Sequence, residues 1–183
     1  MNFKKCLRFA LVSCVSVSSL AFADGDRRAA SKSVLSAEQE VASTPVASDG
    51  LANGIISFKR NFRSARVRVT FSNLEGEVTR LHLHCAEAGS NGPIAIGLVD
   101  LVAVAQDNSE TVELDSNTII GRISNRQFPQ GEANQCGIYD LYGLANAIDA
   151  GGIYWNLHTT AFQPGELRGQ VEPLSTHRYD SDD

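Results

Sequence analysis

The chain has 183 residues, with 16 basic and 21 acidic side chains and a formal net charge of −5. This length suits one domain with a sizeable core. The negative charge argues against a nucleic-acid partner or an anionic membrane surface, because both are bound through basic faces.

Residues 1–23 are typical of a secretory signal peptide. The basic start at residues 4–8 is followed by the apolar and small-residue stretch 9–20 and by Ala21-Phe22-Ala23, an A-x-A cleavage site. We therefore expect an exported protein, periplasmic or extracellular, whose mature chain begins at Asp24.

Two other interpretations of this segment fit less well. A membrane anchor would need a longer and less serine-rich apolar stretch. The sequence Leu11-Val12-Ser13-Cys14 resembles a lipoprotein processing box, but almost no apolar residues separate it from Arg8. Cleavage after Ala23 removes three of the 16 basic residues and no acidic one, which changes the net charge to −8. No later stretch is apolar enough to span a membrane.

The rest of the chain divides into three parts. Residues 24–33 are charged and rich in alanine and serine, which predicts a flexible leader, and residues 175–183 form a polar, acidic tail. The predicted domain is 34–174. Short alternating segments between glycine, proline and asparagine turns predict strands in this order: 34–41, 54–58, 66–71, 78–85, 94–105, 111–114, 118–120, 153–160 and 167–171.

One helix is predicted. Residues 139–150 place apolar side chains loosely on one stripe, and Gly151-Gly152 ends the pattern. Many short strands with a single short helix predict an all-β sandwich or barrel.

The mature chain keeps two cysteines, Cys85 and Cys136. An oxidising compartment favours a disulfide between them, whereas two separate buried thiols are the alternative. The bridge would close a loop of about fifty residues, which the chain-entropy model values at roughly 4 kcal/mol.

The predicted strand 78–85 presents two histidines on one face. Side chains two residues apart on a strand point to the same side. His82 and His84 therefore face one way, whereas Leu81, Leu83 and Cys85 face the other. Two imidazoles at this spacing can bind one metal ion, although histidines on a polar strand face are more often solvated.

A second histidine strand lies near the end of the domain. His158 shares the polar face of its strand with Tyr154 and Asn156, and Glu166 and Arg168 on the returning strand can lie beside it. If this strand neighbours the first one, three imidazoles converge, and that ligand set suits copper or zinc. The alternatives are that His158 only fixes the hairpin by local hydrogen bonds and that Glu166 and Arg168 form a cross-strand ion pair.

Five stretches together form a recognisable pattern: Glu38-Gln39-Glu40-Val41, His82-Leu83-His84, Ala88–Pro93, Tyr154–Thr159 and Pro164–Gln170. They resemble the CHRD domain, the module named after chordin, over about residues 34–174. The resemblance implies an immunoglobulin-like, Greek-key β-sandwich or flattened barrel in an exported protein. It implies no established activity.

The chain departs from this family pattern around its cysteines. Cys85 replaces a small residue after the second histidine, and the insert at residues 126–136 is long. These departures suggest a subfamily in which the bridge to Cys136 holds the insert to the histidine strand.

A weaker resemblance is to copper/zinc superoxide dismutase, in which a histidine-x-histidine strand, a late histidine and a late arginine serve a copper site. His82, His84, His158 and Arg168 fall in this order. Residues 85–105 contain no histidine, so the bridging and zinc ligands of that family have no counterpart. This resemblance therefore implies at most a site for copper alone.

The sequence contains no arrangement typical of a catalytic nucleophile or a phosphate-binding loop. It therefore favours a non-enzymatic exported module that binds a protein or an extracellular polymer. The alternatives are a copper- or zinc-binding protein that uses the three histidines, with dismutase-like activity as an extension, and a purely structural envelope or matrix protein.

Overall fold

The computed structural model describes residues 30–100 and 112–174, without the side chains of residues 99, 100 and 112. Several predictions lie outside these residues: the signal peptide, the leader up to residue 29, the end of the strand predicted at 94–105, and the acidic tail.

The described residues form ten strands and one α-helix, which confirms the all-β class with one short helix. The helix, α1, is Leu141–Asp149. The strands are β1 Ala30–Ser36, β2 Leu51–Phe58, β3 Ser64–Ser72, β4 Val78–Cys85, β5 Ile94–Asp100, β6 Val112–Asp115, β7 Thr118–Ser124, β8 Ile153–Thr159, β9 Leu167–Gln170 and β10 Glu172–Pro173.

All strands belong to one antiparallel sheet in the order β5-β4-β8-β9-β1-β2-β3-β7-β6, and β10 adds to β1. The sheet is curled, and this is seen where side chains from distant strands meet on its inner face. Trp155 of β8 reaches Gly54 of β2, where an added Cβ would lie 2.9 Å from the indole Nε1, although β9 and β1 separate these strands. The result is a half-barrel, the flattened-barrel form of the predicted class.

The inner face holds one apolar core to which both halves of the sheet and the helix contribute. Asp140 caps the helix by accepting a hydrogen bond of 2.7 Å from the Gly143 amide. One stripe of α1 then packs into the core through Leu141, Leu144, Ala145 and Ile148. The predicted helix is thus confirmed within the residues expected for it.

The start of the sheet corrects two predictions. Strand β1 begins at Ala30, so the flexible leader does not extend to Ser33. Ser31 and Ser33 are buried, and their small polar side chains concealed the alternation in the sequence. Strand β9 approaches Ser33 closely, since a Cβ on Gly169 would lie 2.5 Å from Ser33 Oγ.

The strand predicted over 34–41 also ends early. It stops at Ser36, and Ala37–Gln39 form a 3-10 turn. The amide of Glu40 donates to Ala37 O, and Gln39 Nε2 donates to Val34 O, so local hydrogen bonds replace the ladder. This turn directs the following chain across the outer face of the sheet.

The disulfide between Cys85 and Cys136 is present, which confirms the predicted pairing. It joins the last residue of β4 to the segment that precedes α1. Leu81 and Leu83 of β4 are fully buried in the core, as predicted for the inner face. The histidines of β4 therefore lie on the outer face.

Strand β8 is buried along its whole length, and this feature locates the site. Its inner side chains, such as Trp155 and Leu157, belong to the core. Its outer side chains are covered by loops that cross the sheet, which creates a polar, partly enclosed region over β4, β8 and β9.

Candidate metal centre

Three histidines meet on the outer face of the sheet because β4 and β8 are neighbouring strands. His82 is opposite Asn156 in the ladder, and His158 is opposite Arg80, which makes His82 and His158 diagonal neighbours. Their ring centroids are 5.0 Å apart, and those of His82 and His84 are 5.6 Å apart. One ring nitrogen from each histidine lies within 4.8 Å of the other two.

Backbone carbonyls orient two of the three rings. His84 Nδ1 donates to Gly92 O and His158 Nδ1 donates to Gln163 O, both at 2.9 Å. A carbonyl can only accept, so each Nδ1 carries the hydrogen and each neutral ring keeps its lone pair on Nε2. Metal-binding histidines are commonly held in this way by a carbonyl on the second nitrogen.

The site fits a metal ion after a small adjustment. Copper and zinc bind imidazole at roughly 2.0 Å, which needs ligand nitrogens about 3–4 Å apart. The present limit of 4.8 Å requires ring movements on the order of 1 Å. His82 and His158 are buried and His84 is half-buried, so an ion held there would be largely shielded from water.

A stack of three side chains from adjacent strands supports His84. The ring of Tyr154 lies parallel to the His84 ring, with an interplanar angle of 11° and centroids 5.0 Å apart. On the other side of Tyr154, the guanidinium carbon of Arg168 lies 3.6 Å from the ring centroid. This packing restricts the rotation of the His84 ring.

Arg168 links this stack to the turn before β5. Its buried guanidinium donates to Asn91 Oδ1 at 3.1 Å, to Ser90 O at 2.7 Å and to Glu87 O at 3.2 Å. These bonds compensate for the burial of the charge. They also fix the turn whose Gly92 carbonyl orients His84.

Gly92 is required at this turn for steric reasons. An added Cβ would lie 2.0 Å from Cys85 O, so no other residue fits without moving the backbone. The Gly92 amide donates to the Tyr154 hydroxyl at 3.2 Å. The glycine thus contacts both His84 and its stacking partner, a role beyond the turn-forming one expected from the sequence.

The environment of His84 favours the neutral ring. Burial lowers the pKa of His84, and the nearby Arg168 charge acts in the same direction, against the Gly92 hydrogen bond. The neutral imidazole is the form that binds a metal ion.

Asn156, which lies opposite His82 in the β4–β8 ladder, bonds to a carboxyl group that the sequence interpretation did not include in the site. Its Nδ2 donates to Glu40 Oε1 at 2.5 Å. Gly165 approaches both groups: its φ is 143°, and an added Cβ would lie 2.6 Å from Asn156 Nδ2. The only signal for Glu40 was its place in the first stretch of the family pattern.

Glu166 anchors loops at the end of β8. It is fully buried, and its carboxylate accepts hydrogen bonds from Ser48 Oγ, from the Glu75 amide and from Thr159 Oγ1. The ion pair with Arg168 is therefore absent, since Arg168 bonds to the turn described above. Glu166 precedes β9, so strand alternation did not apply to it, and it ties two loops to the end of β8.

A cavity of about 520 Å³ opens beside the histidines. His84 and His158 contribute to its wall, together with Glu40, Asn156 and the loop 41–46. An ion bound to three histidines would retain an open coordination position. The cavity would give a small ligand access to it.

Glu40→Gln is expected to change the pH dependence of folding stability in the metal-free protein. Burial raises the pKa of Glu40 to about 7, against the opposing effects of the Arg168 charge and the Asn156 hydrogen bond. The folded state then keeps a proton that the unfolded state loses above the ordinary value of 4.5, so stability falls as pH rises from about 4.5 to 7. Urea unfolding near pH 5 and near pH 8 measures this: the free energy of unfolding should fall less between the two pH values in Glu40→Gln than in the wild type. An identical loss in both proteins would contradict this.

Taken together, the fold and the site define an all-β protein with a partly covered histidine cluster on one sheet face. The CHRD domain family model matches residues 31–171, and the chain belongs to this family. Comparison with curated proteins and with solved structures gave no match. No helix among the described residues is long and apolar enough to cross a membrane.

Proposed function

We propose that this CHRD-domain protein is an exported binding module that holds one copper or zinc ion on His82, His84 and His158. The observation that carries the proposal is the convergence of three imidazoles, one nitrogen of each within 4.8 Å of the others. The two Nδ1–carbonyl hydrogen bonds add to it, because they direct the Nε2 lone pairs of His84 and His158 for coordination.

The ligand set restricts the metal. Three neutral imidazoles suit copper and zinc, whereas calcium and magnesium prefer oxygen ligands. The three histidines are the only such cluster of histidine, cysteine or acidic residues found within the described part of the chain. This supports a site for a single ion rather than the paired sites of copper/zinc dismutases.

A dismutase-like activity is the weaker candidate. The order of the three histidines and Arg168 along the chain favours it, as does the open coordination position. However, the Arg168 guanidinium donates to Asn91, Ser90 and Glu87 and does not contribute to the cavity wall. It is therefore poorly placed to attract an anion to a bound metal.

Export rests on the residues 1–23 and on the disulfide. A bridge between Cys85 and Cys136 is stable in an oxidising compartment such as the periplasm or the extracellular space. Periplasmic extraction and sequencing of the mature start would test it: the expected start is Asp24, and an uncleaved cytoplasmic protein would contradict export.

Metal binding is tested by titrating metal-free protein without a histidine tag with copper(II) or zinc against a chromophoric chelator. We expect one ion per chain, unchanged in His177→Asn, which removes the histidine of the C-terminal segment. Calcium and magnesium should not compete. Binding of less than half an equivalent of both copper and zinc, or loss of binding in His177→Asn, would contradict the proposal.

A further inference from the structure

The sheet carries a basic face that the metal site does not use. Strand β3 exposes Arg66 and Arg68, and β7 exposes Arg122. Arg66 and Arg122 are directly opposite each other in the β3–β7 ladder. Lys32 of β1 extends this surface across β2, because Lys32 pairs with Ile55 and Ile55 pairs with Arg68. Lys32, Arg66, Arg68 and Arg122 together form the basic face.

Further cations surround one end of the basic face. The β2–β3 turn exposes Lys59 and Arg63, and the segment after β7 exposes Arg126. The chain has no acidic residue between positions 49 and 75, nor between positions 115 and 132. Among the described residues of this sheet face, the acidic groups lie at the borders. Positive charge is thus concentrated on one side of a protein whose net charge is negative.

Three acidic residues border the basic face. Glu113 and Asp115 of β6 pair with Ile120 and Thr118, so Glu113 is a diagonal neighbour of Arg122, and Glu172 of β10 pairs with Lys32. At the centre, two like charges directly opposite each other on neighbouring strands disfavour folding. No hydrogen bond or ion pair joins Arg66 or Arg122 to another residue of the described ranges.

We propose that the basic face binds an anionic polysaccharide, a polymer that carries carboxylate or sulfate groups. Neighbouring strands are about 4.8 Å apart and alternate residues of a strand about 6.6 Å apart, so neighbouring cations are about 5–10 Å apart and the outermost pair, Lys32 and Arg122, about 16 Å apart. A small anion would meet one or two of them, whereas an extended polymer can meet all four. Arginine suits this partner because its planar fork binds carboxylate and sulfate oxygens in pairs.

The composition of the surface disfavours a nucleic acid as the occupant. Proteins that bind single-stranded nucleic acid stack the bases on aromatic side chains. The outward residues between the cations are Asn53, Ile55, Ser57, Thr70 and Ile120, and none of them is aromatic. The net negative charge of the protein repels any polyanion at long range, so a polyanion can be attracted only by the basic face itself.

The test compares two double variants that change the net charge equally. R66Q/R122Q removes two charges from the centre of the basic face. N73D/Q135E adds two negative charges at exposed positions in the β3–β4 turn and beside Cys136, with almost no change in side-chain volume. Affinity for dextran sulfate and for polygalacturonate is measured by calorimetry at low and at physiological salt, with a chelator present so that the metal site plays no part.

We expect the wild type to bind at least one of the two polysaccharides, and its affinity should fall as salt is raised, because exposed charge pairs are screened. R66Q/R122Q should lose about tenfold in affinity, and N73D/Q135E less than about twofold. R66Q/R122Q should also unfold at a temperature equal to or above that of the wild type, since a like-charge contact is removed. If R66Q/R122Q does not fold, R68Q/R122Q is used for the same comparison.

Three results would overturn the proposal: no binding to either polysaccharide, equal losses in the two double variants, or tighter binding to single-stranded DNA or to phosphatidylserine vesicles. None of these results depends on metal binding, so this proposal and the one on the histidines succeed or fail separately.

Discussion

His158→Ala is expected to bind copper(II) and zinc about a hundredfold or more weakly than the wild type. Loss of a residue that only supports a ligand typically costs ten- to a hundredfold in metal affinity, and loss of a ligand should cost at least as much. His158 is the only ligand contributed by β8, so the two histidines of β4 would remain as an incomplete site. The chelator competition described for the wild type measures the change.

Tyr154→Phe is the matched control for this experiment. It keeps the ring that stacks on His84 and removes only the hydroxyl that accepts from the Gly92 amide. We expect its metal affinity to remain within about tenfold of the wild type. Equal affinities of His158→Ala and the wild type, with both folded by circular dichroism, would contradict a three-histidine site.

Loss of the Cys85–Cys136 disulfide is expected to lower the free energy of unfolding by roughly 4 kcal/mol. The two cysteines are separated by 51 residues, and a bridge that closes a long loop mainly limits the unfolded chain. For a domain of this size the melting temperature should fall by about 10 °C. Urea unfolding of Cys85→Ser/Cys136→Ser measures the change.

A reductant provides the control for the disulfide prediction. It should destabilise the wild type to the level of the double serine variant and leave that variant unchanged. Metal affinity should fall in parallel, because Cys85 follows His84 and the Gly92 carbonyl that orients His84 belongs to a turn packed against Cys85 O. A loss of stability below about 1 kcal/mol would contradict the prediction.

Strand alternation predicted the faces of β4 correctly, because one inner face is buried along its length. It separated Leu81 and Leu83 from His82 and His84 before any tertiary contact was known. Alternation could not predict which strands are neighbours. The pairing of β4 with β8, about seventy residues away, depends on the whole sheet order, and only this pairing brings His158 to the other two histidines.

The parts of the site that the sequence did not predict come from loops and long-range contacts. Glu40 enters through a 3-10 turn that ends β1, and Glu166 lies just before β9, where the alternation rule does not apply. The stack of His84, Tyr154 and Arg168 combines three strands. None of these contacts leaves a local pattern in the sequence.

The most direct test of the metal site is X-ray absorption spectroscopy at the metal edge of protein loaded with one equivalent of copper or zinc. We expect about three nitrogen ligands at roughly 2.0 Å with the outer-shell scattering of imidazole rings. The signal of the rings should fall by about one imidazole in His158→Ala. A shell made only of oxygen ligands, or a spectrum that is the same in the wild type and in the variant, would contradict coordination by His82, His84 and His158.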